Sequence, residues 1–298
     1  MRRFLSRVLP LLLSFGLIFN CTGCSTVLVL AGKARENSEA SSSVISESSA
    51  SSGVISTPVP TEDGDLRAFY TDVANAESVT VMVYMIGSDL ESEDGSATDD
   101  LLEMADAALS ENIHLVLQTG GTETWWNDVC TDDESERFVI ENGDMTLLQS
   151  LGSMNMTDAD TLSDFIRFSA ESYPADRYEL ILWDHGGGTM TGFGYDELYE
   201  DTSLTLSSLS TALYNGGVQF DFIGFDACLM ATAEVAYALD PYADYLIASE
   251  ESEPGEGWAY KNWLTMLAED PAVPTAELGK KLADEDRMRY EGGQYFVK

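Results

Sequence analysis

Two residues of this sequence have the type and setting that nucleophilic catalysis requires. His185 follows the apolar run Leu180-Ile-Leu-Trp-Asp184 and precedes Gly186-Gly187-Gly188. It therefore ends a strand beside backbone that can approach a ligand closely and aim N–H groups at a developing oxyanion. Cys228 closes the run Asp221-Phe-Ile-Gly-Phe-Asp226-Ala227 and is expected to open a helix reaching Leu239. A thiol at a helix N-terminus is held more readily as the thiolate, and a neighbouring imidazolium acts in the same sense. Cys228 alone is a weak signal, because a free cysteine is usually a small buried hydrophobe. Together, 43 positions apart on successive strands, they bring a nucleophile and a general acid/base to one sheet edge. The second histidine, His114, sits inside an apolar strand and reads as a core imidazole.

The elements that must position this pair are legible as an alternation. Apolar, β-branched or aromatic runs mark strands at Val79–Ile86, Ile113–Gln118, Tyr178–Trp183, Phe220–Phe225 and Tyr245–Ala248. Helical spacing marks Asp99–Leu109, a segment capped by Asp160 with Leu162, Phe165, Ile166 and Tyr173 on one face, Leu204–Tyr214 and Leu229–Leu239. Phe138–Ile140 and Met145–Leu148 flank Asn142-Gly143, a hairpin signal. Continuous apolar strands separated by amphipathic helices predict an α/β fold, a mostly parallel sheet covered on both faces. Ligands of such sheets bind beyond the carboxyl ends of the strands, where His185 and Cys228 fall. No internal repeat is present.

Composition narrows the partners. The 298 residues carry 15 Lys and Arg against 52 Asp and Glu, a formal charge of −37. Nucleic acid is excluded as a partner, because binding phosphates needs basic residues that displace counterions. Cationic partners, metal ions or basic peptides are favoured. Residues 1–23 read as a signal peptide, with Arg2, Arg3 and Arg7 before an apolar stretch, Val8 to Phe19, that is short for a bilayer span. Asn20-Cys21-Thr22-Gly23-Cys24 resembles a bacterial lipobox in which Cys24 takes the lipid, although Cys21 stands where Leu is usual. Residues 24–65 are Ser-rich, then carry Pro58 and Pro60, and read as a disordered tether. The expected domain is 66–298, held at the extracytoplasmic side of a bacterial cell envelope, with simple secretion as the alternative.

Trp183-Asp-His185-Gly186-Gly187-Gly188 and Asp226-Ala-Cys228-Leu-Met230 resemble the clostripain family of cysteine peptidases, in the group that also holds caspases, gingipains and legumain. Val83 to Glu91 and Ser249 to Trp258 are similar to further blocks of that family. The resemblance implies a caspase-like three-layer α/β/α sandwich and a Cys–His dyad. Cys228 would attack the scissile carbonyl, His185 would handle the proton, and the backbone N–H groups of Gly186 and Cys228 would form the oxyanion hole. It also implies cleavage after Arg or Lys, with Asp226 and, on a looser alignment, Glu256 in the substrate pocket. The charge pattern agrees, since Tyr178 to Tyr260 contains fifteen Asp and Glu and no Lys or Arg. A solvated acidic surface would give the same count.

The chemistry needs no cofactor. Relatives can use calcium, and Asp89 to Gly95 superficially resembles a calcium loop, but its glycine is one place late and no metal ligands are assigned. Cys130 is either free or paired, and pairing with Cys228 would remove the nucleophile. No Lys or Arg lies between His185 and Cys228, so basic-specific self-cleavage there is excluded. Relatives continue past the position of Lys298, so the chain reads as a truncated domain. Two rival readings stand beside the peptidase: a non-catalytic surface lipoprotein binding basic peptides or cations on the same acidic face, and the same chemistry with another specificity.

Overall fold

The structure, a computed structural model, describes residues 27–31, 73–199 and 202–291. Eight strands form one sheet in the order β1-β8-β7-β6-β2-β3-β4-β5. In chain order these are β1 (Val27–Ala31), β2 (Val79–Ile86), β3 (Ile113–Gly120), β4 (Ser135–Glu141), β5 (Asp144–Gly152), β6 (Arg177–Trp183), β7 (Phe220–Asp226) and β8 (Ala243–Ser249). The five strands from β8 to β3 run parallel, while β1, β4 and β5 add antiparallel edges. At the β4–β5 hairpin, Asn142 (φ 53°) and Gly143 (φ 84°) both take the left-handed conformation that a two-residue turn of this hand requires.

The helices are α1 (Ser88–Ser92), α2 (Ser96–Ala105), α3 (Ala159–Ser172), α4 (Gly188–Thr191), α5 (Leu206–Gly216), α6 (Ala233–Leu239), α7 (Tyr260–Glu269) and α8 (Thr275–Glu291). Period-2 alternation splits β2 between two cores. Met82, Tyr84 and Ile86 join residues of α3, α5 and α6, whereas Val79, Val81, Val83 and Met85 join residues of α2, α7 and α8. Both faces are thus covered, and the expected three-layer α/β/α sandwich is the observed one.

Several boundaries differ from the sequence reading. Asp158, not Asp160, caps α3, its carboxylate accepting the Asp160 N–H. The helix expected from Leu229 begins only at Ala233, after the Thr232 hydroxyl caps it. Leu229 itself is left-handed (φ 63°), which stops a helix from running back to Cys228. Helices α7 and α8 lie past the last element read from the sequence. Val27–Ala31, within the stretch read as tether, pairs with β8 from Val27↔Ser249 to Ala31↔Tyr245. Its Val-Leu-Val-Leu composition suits an edge strand. The signal peptide, Cys24 and the Ser-rich run lie outside the described residues.

The amino ends of β6 and β7 are bolted by a buried ion cluster. Arg177 donates to the carbonyls of Pro271 (2.7 Å) and Val273 (3.0 Å), to Glu179 (3.1 Å) and to Asp221, which also accepts from Thr275 (2.6 Å). Two carboxylates thus share one guanidinium out of reach of water. Burial pushes the Glu179 carboxyl up to about 8, against the pull of Arg177 and with the help of Asp221. The folded state then holds a proton that the unfolded chain releases above pH 4.5. This share of stability is full below that pH and is lost as pH rises through about 8. Glu179→Gln is expected to flatten the decline in urea unfolding followed from pH 4.5 to 8. Arg177→Met, which leaves the buried Asp221 carboxylate without its cation, is expected to lower stability by about 3–5 kcal/mol.

Candidate active site

Strand order reverses between β2 and β6: the chain moves one way from β2 to β3 and the other way through β6, β7 and β8. The carboxyl ends at such a reversal form a crevice. The register of β6 and β7 fixes what enters it. Trp183 pairs with Asp226, and the Asp184 N–H extends the ladder to the Asp226 carbonyl at 3.2 Å. His185 and Cys228 each lie two residues past that pair, so they leave the sheet at the same height on neighbouring strands.

Backbone closeness follows. A Cβ on Gly186 would lie 2.0 Å from the Cys228 carbonyl oxygen, and one on left-handed Gly188 would lie 2.9 Å from that of Leu229. The glycines after His185 therefore let the two loops pack main chain on main chain. No acceptor for the Gly186 or Cys228 N–H occurs among the described residues. The segment after β8 straps the other side of Cys228. Leu229 N–H donates to the Glu251 carbonyl (3.0 Å), and Glu253 N–H donates to Cys228 Sγ (3.2 Å). With α6 starting at Ala233, this amide, and not the helix terminus expected from the sequence, faces the sulfur.

His185 is held from β2. Its Nε2 lies 2.7 Å from Asp89 Oδ1. The preceding residues are tied as well, Ser88 Oγ donating to Asp184 Oδ1 at 2.7 Å, with the Tyr195 N–H donating to the other oxygen. Burial pushes the Asp184 carboxyl up to about 7, against the opposing pull of His185 and of these donors. Ser88 is left-handed (φ 50°). For a serine this conformation costs on the order of 1–3 kcal/mol and persists only where surrounding bonds enforce it.

Asp226 is only 6% exposed, and its Oδ2 accepts from Trp258 N–H (3.1 Å) and Tyr260 O–H (2.9 Å). Asp100, which accepts from Trp183 Nε1 at 2.7 Å, stands close by. Gly257 passes between them: a Cβ there would be 2.7 Å from Asp100 Oδ2 and 3.2 Å from Asp226 Oδ2. Burial first, then the charges of Asp226 and Asp100, holds the Tyr260 hydroxyl well above its ordinary value. Glu256 is exposed on the same loop, one residue earlier. His185, Gly186, Cys228 and Asp226 are thus gathered at one sheet edge.

Other candidates fall away from it. His114 pairs with Thr80 at the amino end of the sheet and meets the Tyr173 ring in a tilted contact, 5.4 Å between centroids. Cys130 is free and buried, and burial pushes its thiol up to about 12. Among the described residues no group of three or more His, Cys, Asp or Glu is arranged for a metal ion. In the stretch that resembled a calcium loop, Asp89 faces His185, and the buried Glu91 accepts from Thr98 N–H, Thr98 Oγ1–H and Trp126 N–H. The sequence reading missed Asp89, Asp100 and the Glu253 amide. Asp89 had a usable signal, since it stands just past the carboxyl end of a central strand.

The sequence pattern of the clostripain family matches residues 83–295. The chain belongs to the clostripain family. It is 29% identical over 217 residues to clostripain of Hathewaya histolytica, an overlap covering 62% of this chain and 41% of that relative. The chain thus spans less than half the length of the curated relative it matches. Its fold is similar to that of a secreted C11 cysteine protease from Bacteroides thetaiotaomicron, solved with an irreversible peptide inhibitor (TM-score 0.60, 24% identity, 72% of this chain and 59% of that one). It is also similar to an inactive zymogen C11 protease from Parabacteroides distasonis (TM-score 0.56, 26% identity, 72% and 59%).

A side chain at position 186 would separate the two loops that membership of this family makes interesting. Gly186→Ala is expected to lower stability by about 1–3 kcal/mol in urea unfolding, the range for forced overpacking. It should also change the rate at which iodoacetamide captures Cys228, whereas Gly255→Ala, with open space around it, should change neither.

Proposed function

We propose that this clostripain-family chain is an extracytoplasmic cysteine endopeptidase that hydrolyses peptide bonds after Arg or Lys. The observation that carries the reading is the equal height of His185 and Cys228 on adjacent parallel strands, with glycine backbone packed between their loops.

In this mechanism the Cys228 thiolate attacks the scissile carbonyl carbon, and the oxygen becomes an oxyanion facing the N–H groups of Gly186 and Cys228. His185, as imidazolium, gives its proton to the amide nitrogen as the C–N bond breaks, leaving a thioester. The neutral imidazole then takes a proton from water, whose oxygen attacks the thioester carbonyl. Collapse of that second intermediate releases the acid product and the thiolate. Such oxyanion donors typically contribute about 10²–10³ in turnover.

Specificity for a basic side chain rests on carboxylates beside the nucleophile. Asp226 lies two residues from Cys228, Asp100 lies across Gly257, and Glu256 stands on the loop above. A guanidinium or ammonium entering there would gain charge-assisted hydrogen bonds, each worth about 1.5–3 kcal/mol. Peptides and proteins with exposed basic residues are the matching substrates. The basic, apolar amino terminus and the secreted relative from Bacteroides thetaiotaomicron support export, with a lipid on Cys24 as the anchor. No helix among the described residues is long and apolar enough to cross a membrane.

The test is hydrolysis of fluorogenic peptides carrying Arg, Lys, Asp, Asn or Leu before the bond, by the full chain, with and without calcium. Turnover after Arg and Lys that vanishes in Cys228→Ala, with unchanged circular dichroism, is the expected result. Asp226→Asn should weaken Arg and Lys peptides by at least tenfold relative to Leu. Cleavage after another residue would keep the dyad and discard the acidic pocket, and an unchanged rate in Cys228→Ala would discard the dyad.

A further inference from the structure

We propose that Asp89 is the positioning residue for His185, holding Nε2 so that Nδ1 carries the proton between substrate and solvent. This inference rests on the reading of His185 as the general acid/base. The direct observation is the 2.7 Å contact between Asp89 Oδ1 and His185 Nε2.

Asp89 is not a side chain that happens to reach the imidazole. Its loop is fixed on both flanks. Gly87 N–H donates to the Gly120 carbonyl (2.8 Å), Ser88 N–H to that of Gly121 (3.1 Å), and Leu90 N–H to Ser88 Oγ (3.3 Å). The loops after β2 and β6 are then joined twice by consecutive residues, Ser88 to Asp184 and Asp89 to His185. The left-handed Ser88 turns the chain so that both contacts form at once. A conformation that serine adopts rarely is thereby coupled to the orientation of one imidazole.

A purely structural ion pair is the competing account. His185 and Asp89 are 44% and 45% exposed, however, and pairs that wet contribute little to folding. Removing Asp89 should therefore leave the fold intact, and its effect should appear in the chemistry. The groups beside His185 are Asp89 of α1, Asp184 before it in the chain, and Tyr195 with ring centroids 6.4 Å apart. Of these, Asp89 is the carboxylate bonded to a ring nitrogen. With Nε2–H donated to Asp89, a proton on Nδ1 can pass to the leaving amine and be replaced from the attacking water.

The experiment compares the wild type with Asp89→Ala, Asp89→Asn and His185→Ala, measuring kcat, KM and the melting temperature. Asp89→Ala is expected to lower kcat by about 10–100-fold with KM within about twofold, the range seen when a partner orienting a functional histidine is removed. Asp89→Asn, which keeps a hydrogen-bond acceptor and removes the charge, should recover most of kcat. Melting temperatures should match the wild type. Wild-type kcat in Asp89→Ala, or an Asp89→Asn variant no faster than Asp89→Ala, would overturn the proposal while His185→Ala remained inactive. Full activity in His185→Ala, or no turnover by the wild type, would instead remove the dyad reading and this inference with it.

Discussion

Parallel pairing of β6 with β7, locked at Trp183 opposite Asp226, is the constraint on which the rest of the site depends. Side-chain direction alternates along a strand, so a slip of one residue would turn every buried side chain of β7 to the other face. Both faces are buried here, and the register is correspondingly fixed. Because it is fixed, equal numbers of residues beyond the pair bring His185 and Cys228 out together. The glycines after His185 then allow backbone contact that no side chain could replace. Position comes from the sheet, and closeness comes from the absence of a Cβ.

The acidic character of the chain has two physical parts. Much of it is solvated surface. A smaller set is buried and engaged, and that set builds the molecule. Glu179 and Asp221 share Arg177 at the amino end of the sheet, while Asp184, Asp226 and Asp100 hold the carboxyl-end loops by accepting from Ser88, Trp258, Tyr260 and Trp183. A buried carboxylate with several donors shapes the backbone around it. Asp226 belongs to the buried set: it accepts from Trp258 and Tyr260 and stands two residues from Cys228.

The central strands were legible because their apolar runs are long and uninterrupted, and the Asn142-Gly143 turn because two positive φ values demand such residues. The approach of His185 to Cys228 was legible from strand ends alone. The thiol's surroundings were not. Leu229 carries no mark of a left-handed conformation, so the run to Leu239 read as one helix and hid the amide of Glu253. Asp89 looked like part of an acidic loop, because its meaning depends on β2 lying beside β6, which brings it to a histidine 96 residues away in sequence. Val27–Ala31 was overlooked for the opposite reason: a good edge strand stood inside a stretch whose neighbours have no strand character.

The most direct measurement is to treat the full chain with a peptidyl-arginyl acyloxymethyl ketone and locate the adduct by tandem mass spectrometry, in the wild type and in His185→Ala. A single adduct on Cys228 in the wild type, sharply reduced without the imidazole, is the result the register of β6 and β7 predicts. An adduct on Cys130, or equal labelling of Cys228 with and without His185, would contradict it.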